Sequence, residues 1–499
     1  MKLPASFYNM VSYVGATIAG VSFLLILFMM ILTSIVSDMG SYMGIIIFMI
    51  LPSLLVFGLL LIPFGMWLQV KKAKRTHKTL VESRFILDLN KKQHRNASVI
   101  FLIGTVIFLM FTAVGSYELY HYSESVEFCG TICHEVMKPE YVAYQNSPHA
   151  KVTCAQCHIG SGADWFVKSK ISGLYQVYAV LAKNFPRPIP TPIANLRPAR
   201  ETCEQCHWPQ KFYENSLRSE KYYLTDEANT EWEMQMRMKI GPSHSAQGQT
   251  EGIHWHINPD VKIEYISTDE KREVIPWVRY INKATGDTVI YQDQYEPLEE
   301  GAADSLTMRT MDCMDCHNRP SHNYQTPTKF INHEMAAGTI SADLPEIKRL
   351  TMELLAGEFT HTDSALKTIE TTVWNFYMEN YPDIFTEKEQ QIKDAVLGIQ
   401  NAFAENIFPE MKAKWDAYPS HIGHMEFNGC FRCHNDQHSA ESGAVISKDC
   451  NLCHSIMSQG TVDDREVAQF DASLEFKHPV EIDGAWKESL CSDCHRYMY

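Results

Sequence analysis

Five-residue units of the form Cys-x-x-Cys-His constrain this chain more than any other feature. They occur at Cys154/Cys157/His158, Cys203/Cys206/His207, Cys313/Cys316/His317, Cys430/Cys433/His434, Cys450/Cys453/His454 and Cys491/Cys494/His495. A seventh unit, Cys129/Cys133/His134, has three residues between its cysteines instead of two. Each is a c-type haem attachment pattern, in which two thiols form thioethers to the porphyrin vinyl groups and the adjacent histidine reaches the iron. The 14 cysteines divide into seven such pairs with none over. A disulfide framework or a zinc site does not require a histidine directly after every second cysteine. The spacing therefore predicts seven c-type haems, with porphyrins replacing much of an ordinary apolar core.

Charge is divided unevenly along the 499 residues, whose formal net charge is -15. Residues 1–98 hold ten Lys/Arg against three Asp/Glu, and the remainder holds 34 against 56. So acidic a surface argues against nucleic-acid binding. It suits weak, electrostatically steered encounters with basic redox partners such as soluble periplasmic c-type cytochromes.

Three apolar runs, 11–36, 43–70 and 99–115, predict three transmembrane helices. The second contains Pro52 and Pro63, which membrane helices tolerate. The first is too long for a signal-peptide core and lacks a small-residue cleavage site, so it reads as a retained anchor. Lys71, Lys72, Lys74, Arg75, Lys78, Arg84, Lys91, Lys92 and Arg95 all lie between the second and third runs. Positive residues stay inside, which predicts a cytoplasmic N-terminus and a periplasmic haem domain on the bacterial inner membrane. This agrees with c-type haem attachment on the outer side of that membrane. Only 13 residues separate Gly115 from Cys129, so the first haem is expected at the membrane surface.

The expected fold is mainly α with little regular structure around stacked haems, with three transmembrane helices, a periplasmic multihaem domain and a small β insert. The boundaries read as a membrane anchor (1–120), haems 1 to 3 (121–215), a β-rich insert (216–305), a haem 4 segment (306–340), a helical bridge (341–420) and a C-terminal trihaem module (421–499). Alternation at 261–266 and 288–291, with a turn at Gly286-Asp287, predicts the strands of the insert. His254 and His256 read as neighbours on one face of a strand. Helical spacing at 345–355, 364–381 and 386–404 predicts the bridge, with Trp374, Phe376 and Phe403 in its core. Further histidines would complete the irons: His149, His322, one of His254 and His256, His438, His424 and His478. His121, His244, His333, His361 and His421 stand in reserve.

Other residues carry a family resemblance. The first haem unit follows an apolar run and precedes Glu135 and Met137, then Tyr144-Gln-Asn-Ser147-Pro-His149. Lys168-Ser-Lys170-Ile171 follows the second unit, and the fourth continues as His317-Asn-Arg-Pro-Ser-His322. Over 117–215 and 305–325 the chain resembles the NapC/NirT/NrfH family of membrane-anchored quinol dehydrogenases. Most of that family has one helix and four haems, and three helices with seven haems look more like the inner-membrane heptahaem cytochromes of metal-reducing bacteria. The resemblance implies oxidation of quinol, menaquinol in particular, near the first haem, with electrons passed to periplasmic cytochromes and finally to an extracellular acceptor. It also implies a lysine and a carboxylate at the quinol site. Lys168 and Lys170 fit the first role; Tyr175 and Gln176 stand where the acid is expected, so Asp164 or Glu135 would substitute. A family methionine two residues after the motif histidine can ligate the first iron. Here Met137 is three residues after His134, and the two remain alternatives. Two other readings stand beside this one: an electron-transfer subunit docked to a separate quinol oxidoreductase, within a membrane complex or homo-oligomer, and a multihaem terminal reductase. The second would require an open iron, and no CxxCK unit is present to mark one.

Overall fold

A computed structural model describes residues 5–35, 50–75, 89–160, 163–191, 198–209, 212, 215–241, 252–299, 301–470 and 472–496. The chain forms two compact units, Met1–Met137 and Lys138–Tyr499.

The first unit is helical. α1 (Met10–Ile35) and α2 (Leu51–Arg75) pack closely because small residues line their contact. A Cβ on Gly15 would stand 2.7 Å from the Gly58 carbonyl, and one on Gly58 would stand 2.7 Å from Ala19 N. Ser12 Oγ donates to the Ile62 carbonyl at 3.0 Å across the same seam. Small residues and hydroxyl bonds hold helices together in lipid, where apolar burial supplies no driving force. Within these helices, Met10–Met29 and Leu51–Ala73 are long and apolar enough to cross a membrane.

The third expected span is corrected. Residues 99–115 lie inside a 32-residue helix, α3 (Lys92–Ser123), but it does not join the two membrane-length apolar helices among the described residues. The run is 17 residues long, at the lower limit of what a bilayer core needs. Polar residues flank it, from Lys92 and Arg95 at one end to Glu118 and His121 at the other.

The second unit mixes helices with two antiparallel sheets. α4 (Ala163–Leu181) precedes the sheets. β1 (Asn215–Tyr223), β2 (Glu231–Lys239), β8 (His454–Gly460) and β9 (Arg465–Val467) form one sheet in the order β1-β2-β8-β9. β3 (Val261–Ile266), β4 (Trp277–Asn282), β5 (Thr288–Asp293), β6 (Arg309–Thr310) and β7 (His438–Ser439) form the other, in the order β6-β3-β4-β5-β7. The β structure therefore exceeds a local insert, because both sheets recruit strands from the C-terminal third. That recruitment places motif residues: Met238 pairs with His454 in β8, and β6 leads into Cys313.

The core lies in a bundle of α5 (Pro327–Ala336), α6 (Ile347–Leu355), α7 (Thr362–Asn380) and α8 (Glu389–Asn406). Ala365, Ile369, Val373 and Tyr377 recur every fourth residue and are fully buried against Ile392, Ile399 and Phe403. Each such branched aliphatic side chain contributes about 1.5–3 kcal/mol by leaving water. Trp374 and Phe376 pack on the margin of this cluster.

Candidate functional site

A single helical turn explains the spacing of most of the motifs. Residues three and four apart share a helix face, so the second cysteine and the histidine can lie on the side of the first. Cys154–His158, Cys313–Cys316 and Cys491–His495 are such turns, and Gly429–Arg432 and Cys450–Leu452 are 3-10 turns. Their starts are capped. Gln156 Oε1 accepts from Thr153 N at 3.0 Å, Asp312 Oδ1 from Met314 N at 2.8 Å, and Asp449 Oδ1 from Asn451 N at 2.9 Å.

The cysteines are not joined in disulfides, and their surroundings differ. Eleven are half-buried, but Cys206, Cys450 and Cys494 are exposed. Cys206 lies in an exposed stretch from Gln205 to Trp208 that includes His207, Cys450 stands among the exposed Asp449, Asn451 and Leu452, and Cys494 follows the exposed Asp493.

Six motif histidines face a second histidine from a distant segment. Ring centres lie 6.0 Å apart in His149/His207, 6.1 Å in His158/His322, 6.3 Å in His254/His317, 5.7 Å in His256/His434, 6.2 Å in His424/His454 and 6.1 Å in His478/His495. Two imidazoles across one iron would stand about 6 Å apart, since each metal–nitrogen bond is about 2.0 Å and each ring centre lies about 1.1 Å behind its nitrogen. The residues present thus fit a haem iron between each pair.

The surrounding hydrogen bonds suit the same role. Nδ1 faces a carbonyl oxygen in His149 (Pro320, 3.2 Å), His322 (Glu140, 3.0 Å), His254 (Ile240, 3.0 Å), His256 (Ile253, 2.9 Å), His434 (Ser447, 3.0 Å) and His478 (Val480, 2.7 Å). Such a partner fixes the tautomer and leaves Nε2 to bind metal. Burial first, and the facing imidazole second, hold the His158, His317 and His495 pKa below the ordinary histidine value, and His424 goes down to about 4. The neutral ring is the ligating form.

Motifs of the second unit adjoin. The Cys203 and Cys313 thiols adjoin. Cys430 N donates to the Gly423 carbonyl at 2.9 Å, and His424 stacks on Phe431 at 4.3 Å. Ser492 Oγ donates to Asn428 Oδ1 at 2.5 Å.

His438 is not brought to a motif histidine. It is fully buried, with Nδ1 2.9 Å from Asn435 Oδ1 and Nε2 2.6 Å from the Ile275 carbonyl. Both ring nitrogens are engaged, so the residue ties the C-terminal segment to the sheet. His438→Ala is expected to cost about 1–3 kcal/mol in unfolding experiments through lost buried hydrogen bonds, and to leave the haem spectra unchanged. His421 is likewise held between the Asp315 and Lys271 carbonyls, at 3.1 and 3.0 Å. His121 packs on Tyr117 at 4.4 Å, His333 is in α5, His361 stands at the N-terminal edge of α7 without a side-chain cap bond, and His244 lies outside the described residues.

Sequence reasoning selects one of His254 and His256, yet both face motif histidines. They lie on a 3-10 turn, Ile253–Ile257, and not on a strand. The overlooked signal was Gly252 just before them, whose φ of +81° lies outside the strand region.

Cys129 lies in the short helix Val126–Thr131, whose Ser125 cap accepts from Phe128 N at 3.0 Å. His134 begins the next helix, His134–Gln145, with Glu135 exposed in its first turn and Met137 half-buried one turn on. Lys168, Lys170 and Asp164 all lie on α4. Lys168 Nζ stands 4.7 Å from the Trp165 ring centre; the Asp164 side chain is outside the described set. Ile171, Leu174, Tyr175, Tyr178 and Leu181 recur at helical spacing on α4, and all are exposed.

Residues 90–188 match the family model described as NapC/NirT cytochrome c family, N-terminal region. The chain is 39% identical over 495 residues to cytochrome c-type protein ImcH of Geobacter sulfurreducens, covering 99% of this chain and 96% of that protein. No solved structure matches the chain.

Proposed function

Because this chain belongs to the NapC/NirT cytochrome c family, we propose that it is a membrane-anchored heptahaem cytochrome that oxidises a quinol, menaquinol in particular, and delivers electrons to soluble periplasmic c-type cytochromes. The observation that carries the reading is the set of facing histidine pairs, all with ring centres near 6 Å. Bound haems supply one-electron acceptance and release at potentials set by their ligands. The chain lowers the pKa of His158, His317, His424 and His495 by burial, orients six of the rings through Nδ1 and keeps motifs of the second unit adjoining. Two axial histidines at six sites argue against the terminal-reductase reading, which requires an open iron.

Quinol binding is assigned to the region of Lys168 and Lys170, with Glu135 or Asp164 accepting protons. The exposed apolar stripe of α4 supports this, since a helix with an apolar face and lysines beside it lies along a bilayer surface. A quinol dissolved in that bilayer would meet the lysines there. The haem-bearing unit is assigned to the periplasm on the chemistry of haem attachment alone. Two crossings put it on the same side as the N-terminus and the basic stretch 71–95, so the positive-inside argument does not carry over. The ultimate acceptor is proposed to be extracellular, in anaerobic respiration.

Lys170→Ala is expected to slow haem reduction by a menaquinol analogue about tenfold or more, the size of a lost proton-transfer or positioning group. Reduction by dithionite is expected to be unchanged. Equal rates with quinol in variant and parent would remove Lys170 from the site.

A further inference from the structure

The turn Ile253–Ile257 stands between two haem motifs. The His254 ring lies 6.3 Å from His317 with planes 5° apart, and the His256 ring lies 5.7 Å from His434 with planes 80° apart. Residues two apart in a strand share a face, but a 3-10 helix makes one turn in three residues, so such residues point about 120° apart. The 3-10 turn is therefore what sends the two rings to different partners.

The turn is anchored where it begins and at its centre. Gly252 approaches β2 so closely that a Cβ would stand 2.7 Å from the Lys239 carbonyl. His254 N donates to the Ile240 carbonyl at 3.3 Å, and Trp255 stacks on Tyr280 of β4 at 5.7 Å. Independently, the two motifs are joined to each other: Arg432 Nη2, from the Cys430 unit, donates to the carbonyl of Asp315, in the Cys313 unit, at 2.8 Å.

We propose that this one turn supplies the sixth iron ligand of two haems, His254 for the haem on Cys313/Cys316 and His256 for the haem on Cys430/Cys433. The turn is then the junction that sets these haems side by side and links the N-terminal haem group to the C-terminal three. The inference rests on the multihaem reading above.

Electron paramagnetic resonance of the fully oxidised protein separates the two ligands, because near-parallel imidazole planes give a rhombic low-spin signal and near-perpendicular planes a highly anisotropic one. Two highly anisotropic signals are expected, from the 80° pair and from His149/His207 at 75°. His256→Gly is expected to remove one of the two, and His254→Gly one rhombic signal. Each should leave a haem that returns to low spin when imidazole is added, with seven haems still attached by the pyridine haemochrome assay. If either variant keeps every parental signal, or either abolishes both signals together, the assignment is overturned. A haem count below seven in the parent would instead overturn the reading on which the inference rests.

Discussion

Asp315→Ala is expected to destabilise the second unit by about 3 kcal/mol, the low end of the cost of stripping a buried ion cluster of one sign of charge. Asp315 sits inside the Cys313 motif and is 1% exposed. Its Oδ1 accepts from Tyr265 Oη at 2.5 Å and Arg272 Nη1 at 3.1 Å, and also pairs with Arg309. Its Oδ2 accepts from Asp312 N at 2.7 Å, closing the motif's cap. The low end applies because both arginines retain some solvent and could be rehydrated. Asp315→Asn preserves the shape and should cost less. Denaturant unfolding followed by haem absorbance measures both; equal costs would mean that packing, and not charge, accounts for most of the loss.

Stability of the helical bundle is expected to rise with pH between about 7 and 10.5, owing to Lys348. This side chain is 2% exposed, and burial pushes its pKa down from 10.5 to about 7. Below pH 7 the folded and unfolded chains both hold the proton, and the cost of burying the charge is fully present. Between the two pKa values the unfolded chain binds more protons, so stability increases with pH. The amplitude is on the order of a few kcal/mol, at about 1.4 kcal/mol per pKa unit less what charged hydrogen bonds recover. Lys348 Nζ donates to Asn332 Oδ1 at 2.8 Å, and that oxygen also accepts from Tyr223 N at 3.3 Å. Lys348→Met therefore leaves the acceptor partnered. It is expected to stabilise the bundle below pH 7 and to flatten the rise above it. Parallel pH profiles for parent and variant in thermal unfolding would exclude Lys348 as its source.

What could be read from the sequence follows the range of the forces involved. Haem attachment is local chemistry, so five residues suffice to announce it. How far a motif is covered is not local: Cys316 and Cys433 are half-buried where other segments pack over them, while Cys206 and Cys494 in identical motifs are exposed. The bundle helices were legible because Ala365, Ile369, Val373 and Tyr377 repeat at helical spacing, and the observed helices fall within a few residues of the expected ones. The facing histidines are a tertiary property: His149 meets His207, and His158 meets His322, through folding that no local pattern encodes. His438 attracts attention by its place in a histidine-dense block, yet its ring is consumed by Asn435 and Ile275. The two-residue spacing of His254 and His256 suits a strand, although Gly252 with a positive φ starts a tighter turn there. The third apolar run has the composition of a span, but its 17 residues stand at the lower limit of a bilayer core.

Quinol-driven reduction tests the central claim most directly. Purified, fully oxidised protein would be mixed with a reduced menaquinol analogue in a stopped-flow instrument while the haem absorbance is followed. The account predicts rapid reduction of several haems per chain, blocked by a quinol-site inhibitor. Haems that remain oxidised with quinol but reduce fully with dithionite would contradict it, and would favour an electron-transfer subunit that receives electrons from a separate quinol oxidoreductase.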